Sequence, residues 1–212
     1  MKNNITELVF VMDKSGSMSG LEKDVIGGFN SMLEKQKKQE GTVYVTTVLF
    51  SHESRTLHDR VSIDKVSPVT DGDYVPGGST ALLDALGDTI RHIANIHRYA
   101  RPEDVPEHTI FVITTDGMEN SSRRYTAERV REMIRHEEQK YGWEFLFLAA
   151  NIDAVETAEH IGIRAEHAAN YAPTSSGTTR LYACVDQAVS NVRACRGLTR
   201  SWSDGLIDGD SD

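Results

Sequence analysis

Short apolar runs alternate along this chain with longer stretches whose apolar positions recur at helical spacing. Residues 5–12 form a compact apolar run and predict a buried strand. In 21–39, Leu21, Val25, Ile26, Phe29, Met32 and Leu33 recur every three or four positions, predicting a helix with Gly41 as its stop signal. Residues 43–50 are rich in β-branched side chains and predict a second strand. The connection to the weakly alternating 54–61 is too short for a crossover helix, so these two strands are predicted to form a hairpin. A Gly/Pro loop follows over 71–79. Residues 80–99 predict a second long helix, with Leu82, Leu83, Leu86, Ile90, Ile93 and Ile96 on one side. Residues 109–114 predict a third buried strand. Thr126 opens a helix that runs to Tyr141 and stops at Gly142; Arg129, three residues on, makes this a capped start but not a capping box. An apolar strand over 143–150, a short helix over 153–160 capped by Asp153 and closed by Gly162, and a short strand around 168–171 come next. The last helix spans 176–196, with Leu181, Val185, Ala188, Val189 and Val192 inward.

Strands and helices in this order predict an α/β fold: a three-layer, doubly wound, mostly parallel six-stranded sheet with one antiparallel edge strand and helices on both faces. Residues 1–198 are expected to form one domain, and 199–212 an acidic, mobile tail carrying Asp204, Asp208, Asp210 and Asp212. Trp143 and Phe145 are expected in the core, and Trp202 as an exposed anchor in the tail.

The chain has 212 residues and 39% hydrophobic content, enough for one sizeable core. Its formal net charge of −9 argues against nucleic acid as a partner, because phosphate backbones are repelled. Lys35, Lys37, Lys38, Arg123 and Arg124 read as solvated faces. No apolar stretch has the length to cross a bilayer, and the first residues carry no signal-peptide pattern. Cys184 and Cys195, placed on one helix, lie roughly 16 Å apart along its axis and cannot form a disulfide. Two free thiols packed in the core fit a reducing cytoplasm.

The strongest chemical signal is Asp13-Lys14-Ser15-Gly16-Ser17, directly after the run Leu8 to Met12. Ligands sit at the carboxyl ends of strands in doubly wound sheets. The Asp-x-Ser-x-Ser spacing crowds three short oxygen-bearing side chains into one turn, and Gly16 lets the backbone bend. Hard oxygens suit Mg²⁺, Mn²⁺ or Ca²⁺ rather than zinc or copper. Gly77-Gly78-Ser79-Thr80, at a loop-to-helix junction, and Thr114-Thr115-Asp116-Gly117, at a strand end, are predicted to reach the same rim.

Together these segments resemble the von Willebrand factor A domain and its metal-ion-dependent adhesion site, over 5–196. In that family the first loop supplies an Asp and two Ser, the second a Thr and the third an Asp. The resemblance implies those metal-binding roles for Asp13, Ser15, Ser17, Thr80 and Asp116. Ser79 stands as the alternative to Thr80, which could instead cap its helix. The resemblance also implies a protein-binding module, not an enzyme, in which an Asp or Glu of a partner completes the coordination of Mg²⁺. Direct contact of Asp116 with the ion would add negative charge and weaken that grip. Small stand-alone bacterial members act in intracellular multiprotein assemblies, some in tellurium-resistance or other stress systems, others beside chelatase or ATPase machines.

Asp84, one helical turn past Thr80, reads equally as an orienting residue or a helix-dipole partner. Glu119 and Asn120 read as partner-contact or turn residues. His52 and His58 flank the hairpin and read as exposed loop histidines, with no Cys or His at zinc-ligand spacing. Two rival readings stand beside the binding module. One is a Mg²⁺-dependent hydrolase or phosphotransferase. It lacks a phosphate loop, a second carboxylate beside Asp13, and any histidine near the ligand loops in sequence. The other is self-association through the acidic tail.

Overall fold

The first apolar run becomes a strand covered on both faces. In the computed structural model, which describes residues 4–198 and 200–207, Ile5–Asp13 forms β1. Leu8, Phe10 and Met12 enter one core, and Val9 and Val11 the other. Helices on both sides of a sheet require such an unbroken apolar run.

The remaining elements follow as α1 (Glu22–Lys37), β2 (Thr42–Phe50), β3 (Ser54–Ser62), α2 (Leu82–Tyr99), β4 (His108–Thr115), α3 (Ala127–Tyr141), β5 (Glu144–Ala149), α4 (Ala154–His160), β6 (Ala168–Asn170), α5 (Ser175–Arg193) and α6 (Asp204–Ile207). The sheet order is β3-β2-β1-β4-β5-β6, and only β3 runs antiparallel, paired with β2. This is the mostly parallel sheet with one antiparallel edge that the sequence predicts. Helices α1 and α5 cover one face, and α2, α3 and α4 the other.

The local signals act where they stand. Thr126 Oγ1 accepts from Arg129 N at 3.2 Å, Asp153 Oδ1 accepts from Glu156 N at 2.9 Å, and Gly142 closes α3 at φ 67°. Trp143 and Phe145 are buried and stack on Phe111.

Three expectations change. Helix α5 stops at Arg193, so Cys195 lies in the turn beyond it, exposed, while Cys184 alone is buried; both are free thiols. His58 sits in β3 and is buried, with Nδ1 3.0 Å from Thr47 Oγ1 and Nε2 3.3 Å from Ser67 Oγ. Trp202 is buried as well: its Nε1–H donates to Glu166 O at 2.8 Å, and it joins Leu206 in the α1/α5 core. The acidic composition of the tail hides these two apolar anchors, so Arg200–Ser203 and α6 are helical and packed. Thr199, Asp208, Asp210 and Asp212 lie outside the described residues.

Candidate metal centre

From β1 the chain crosses through α1 to β2 on one side, and later returns through α2 to β4 on the other. Neighbours β1 and β4 therefore flank the point where strand order reverses, the usual ligand crevice of such sheets. Asp13 ends β1 and Asp116 immediately follows β4, so both carboxylates arrive there.

Backbone bonds pin the first loop against the second. Gly16 N donates to Gly78 O at 3.0 Å, and Gly77 N to Lys14 O at 2.8 Å. Gly78 has φ 80°, and a Cβ there would meet the His52 ring at 2.3 Å, so glycine is required. This also places His52 beside the second loop in space, although it is distant from the ligand loops in sequence.

Asp13 is 1% exposed and fully engaged. Its Oδ1 accepts from Ser15 N at 2.7 Å, its Oδ2 from Thr115 Oγ1 at 2.7 Å, and its carbonyl from Tyr74 OH at 2.5 Å. Burial pushes the Tyr74 phenol pKa up, which keeps that donor protonated. Ser15 Oγ lies 3.2 Å from Ser17 Oγ, and Ser17 Oγ donates to Asp116 Oδ1 at 2.6 Å. A Cβ on Gly117 would lie 3.6 Å from both Ser17 Oγ and Thr80 Oγ1, so those hydroxyls flank one glycine. Thr80 is buried, whereas Ser79, its alternative, is exposed.

The second carboxylate oxygen, Asp116 Oδ2, is buried and has no hydrogen-bond partner. Burial pushes the Asp116 pKa up and the charge of Asp13 adds to this, against the hydrogen bond from Ser17. A buried, unbonded carboxylate oxygen beside a second carboxylate is costly unless a cation is near. Three hydroxyls and two carboxylates form a hard-oxygen donor set of the kind Mg²⁺, Mn²⁺ and Ca²⁺ accept. The five residues that the sequence predicts thus meet at one rim, and their chemistry fits a divalent cation.

Residues for which the sequence left two readings open turn out to tie the loops together. Asn120, exposed, and Glu119, partly buried, bond back to the second loop and α2. Asn120 Oδ1 accepts from Thr80 N at 2.9 Å, while Glu119 accepts from Leu83 N, Ser121 N and Ser122 N at 2.7–2.9 Å. Helix α2 has no side-chain cap of its own, so Glu119 caps it from another loop. Asp84 accepts from the backbone N–H groups of Arg123, Arg124 and Tyr125 at 2.9–3.0 Å, tying the loop after Asp116 to α2. No local motif announces these pairs.

No family model and no curated protein matches the chain. Solved structures do. A von Willebrand factor type A protein from Catenulispora acidiphila superposes with a TM-score of 0.60 at 13% identity, over 86% of this chain and 42% of that one. Proximal thread matrix protein 1 from the mussel byssus, with a zinc-occupied MIDAS motif, gives 0.59 at 16% identity over 87% and 45%. The manganese-loaded TRAP protein of Plasmodium vivax gives 0.58 at 17% identity over 85% and 73%. The chain spans less than half the length of the first two. At such identities the likeness is one of architecture, and it agrees with the strand order described above: the chain has the von Willebrand factor A fold.

Proposed function

We propose that Asp13, Ser15, Ser17, Thr80 and Asp116 hold one divalent cation, Mg²⁺, Mn²⁺ or Ca²⁺ in preference to zinc, and that this cation captures an Asp or Glu of a partner protein. The observation that carries the reading is the buried, unbonded Asp116 Oδ2 within a cluster of short oxygen side chains. When bound, the ion supplies a Lewis-acidic position for an incoming carboxylate. The chain's own residues set how strongly: three neutral hydroxyls leave much of the ion's charge uncompensated, which favours an anionic partner.

The surface around the rim supports a protein partner. Met118 is 72% exposed just past Asp116, and Val75 is 59% exposed on the second loop. Large exposed apolar side chains beside a charged centre suit a protein–protein contact. Neighbours of this fold with metal-loaded sites support the metal-binding part of this reading. We further propose that the chain works inside the cell, a reading supported by its two free thiols, and that its partner belongs to a multiprotein assembly. No helix among the described residues is long and apolar enough to cross a membrane.

The test is capture of partners from the native cell with Mg²⁺ and again with chelator, using Asp13→Ala as the control. Partners retained only by the unaltered chain with metal support the reading. Partners retained equally by Asp13→Ala, or without metal, overturn it. Metal-dependent phosphatase turnover lost in Asp13→Ala would replace it with the hydrolase.

A further inference from the structure

Strand β4 carries Asp116 past one end and a second constellation at the other, roughly 26 Å away along the strand. Glu107 precedes β4, His108 opens it, and Cys195 arrives from the turn after α5. His108 Nε2 lies 3.3 Å from Cys195 Sγ and 3.8 Å from Glu107 Oε1, and Cys195 Sγ lies 3.9 Å from the same Oε1. We propose that Glu107, His108 and Cys195 form a second cation site, for Zn²⁺, separate from the oxygen-lined rim and independent of the function proposed there.

The geometry suits a tetrahedral ion. Bonds of about 2.3 Å to sulfur and about 2.0–2.2 Å to nitrogen and oxygen give ligand–ligand edges of roughly 3.4–3.6 Å. The three observed edges straddle that range, and closing on an ion needs shifts of a few tenths of an ångström. Thiolate, imidazole and carboxylate together select zinc over Mg²⁺ or Ca²⁺. Cys195 is exposed, so an ion has access, and a fourth position is left to water or to a partner's side chain.

The backbone holds the cysteine in place. Cys195 N donates to Val192 O at 2.8 Å and Arg196 N to Asn191 O at 2.9 Å, the paired bonds of a Schellman C-cap. Cys195 occupies its left-handed position at φ 57°, where glycine is ordinarily found. On the other side, Glu107 N donates to Ile5 O at 2.9 Å and anchors Glu107 to the sheet.

A nucleophilic relay fits the same three residues less well. A relay needs the carboxylate on the ring nitrogen opposite the one facing the thiol. Here Glu107 and Cys195 both approach Nε2, so the three atoms converge on one point and do not form a line.

The test is titration of Co²⁺ into the full chain under reducing conditions, followed by displacement with Zn²⁺. The expected result is a thiolate-to-cobalt charge-transfer band with intense tetrahedral visible absorption, saturating at one equivalent and abolished by Zn²⁺. Cys195→Ser and His108→Gln should lose the band, while Cys184→Ser and Asp13→Ala keep it. No band in the unaltered chain, or a band that survives in Cys195→Ser, overturns the proposal whatever the fate of the Asp13 site. Circular dichroism of each variant guards against loss through misfolding, and the unaltered chain decides by itself.

Discussion

Ser17 Oγ donates a 2.6 Å hydrogen bond to Asp116 Oδ1, joining two residues 99 positions apart in the chain. With the Thr115–Asp13 bond it joins the β1 and β4 loops, and it engages one oxygen of Asp116 while the other stays buried and unbonded. Two carboxylates and a buried orphan oxygen are a liability to the metal-free fold and an asset to a cation.

Opposite signs follow for Asp116→Asn. Without metal the variant should be more stable than the unaltered chain, by about 1–2 kcal/mol, because a buried charge beside Asp13 is removed. With Mg²⁺ or Mn²⁺ at a hundred times its dissociation constant, the unaltered chain should gain about 2.7 kcal/mol, a Tm rise of roughly 5–10 °C. Asp116→Asn should gain far less. Thermal melts in chelator and in metal check both halves; equal metal-induced shifts in the two proteins would remove Asp116 from the ligand set.

Asp84 should matter more than a helix-dipole residue. Burial alone would raise its pKa, but three backbone N–H donors and the Arg124 guanidinium outweigh it and hold the carboxyl below its ordinary value. Asp84→Ala should cost about 2–3 kcal/mol and loosen the loop after Asp116. Asp84→Asn keeps an acceptor and should cost less. Urea unfolding ranks the variants, and a loss of only a few tenths of a kcal/mol in Asp84→Ala would return it to a dipole role.

Trp202 anchors the tail. Trp202→Ala should destabilise the chain by about 3–5 kcal/mol, as large buried aromatics do when truncated. Chemical unfolding followed by circular dichroism, which does not depend on the removed fluorophore, measures this. An unchanged midpoint would show that residues 200–207 contribute nothing to the fold.

Acid should weaken the fold partly through His167. Burial, with the nearby Arg164 charge, lowers its pKa from 6.5 to about 4. Between those values the unfolded chain binds more protons than the folded one, so stability is full above the upper value and falls as pH drops through the window. The contribution reaches at most about 3 kcal/mol at the acid end. His58, lowered for the same reason of burial, acts in the same direction. His167→Gln should therefore flatten, but not abolish, the slope of stability against pH between 6.5 and 4, read from urea midpoints at several pH values.

Much of this architecture is written locally. The run from Leu8 to Met12 reads as a strand covered on both faces, and Gly142 and Asp153 mark helix ends by local chemistry alone. The Asp-x-Ser-x-Ser turn is legible because its oxygens are neighbours in the chain. Glu119 and Asp84 were not legible in the same way. Each satisfies backbone N–H groups of an element about 40 residues distant, and a carboxylate that does so looks in sequence like any exposed acid. Trp202 was misread because composition averages over a segment whereas burial is decided residue by residue, and Cys195 because α5 ends at Arg193, two residues before it.

Sequence periodicity thus determined which segments are strands and helices, and their order predicted that three oxygen-rich loops meet at the carboxyl end of a parallel sheet. Only the tertiary structure decided which atoms of those loops meet, that Asp116 Oδ2 is left without a partner, and that Glu107, His108 and Cys195 converge at the opposite pole. Periodicity reports which face of an element is apolar, a property of neighbours in the chain. Side-chain convergence depends on how distant elements pack, and packing constrains positions to fractions of an ångström that no local pattern encodes.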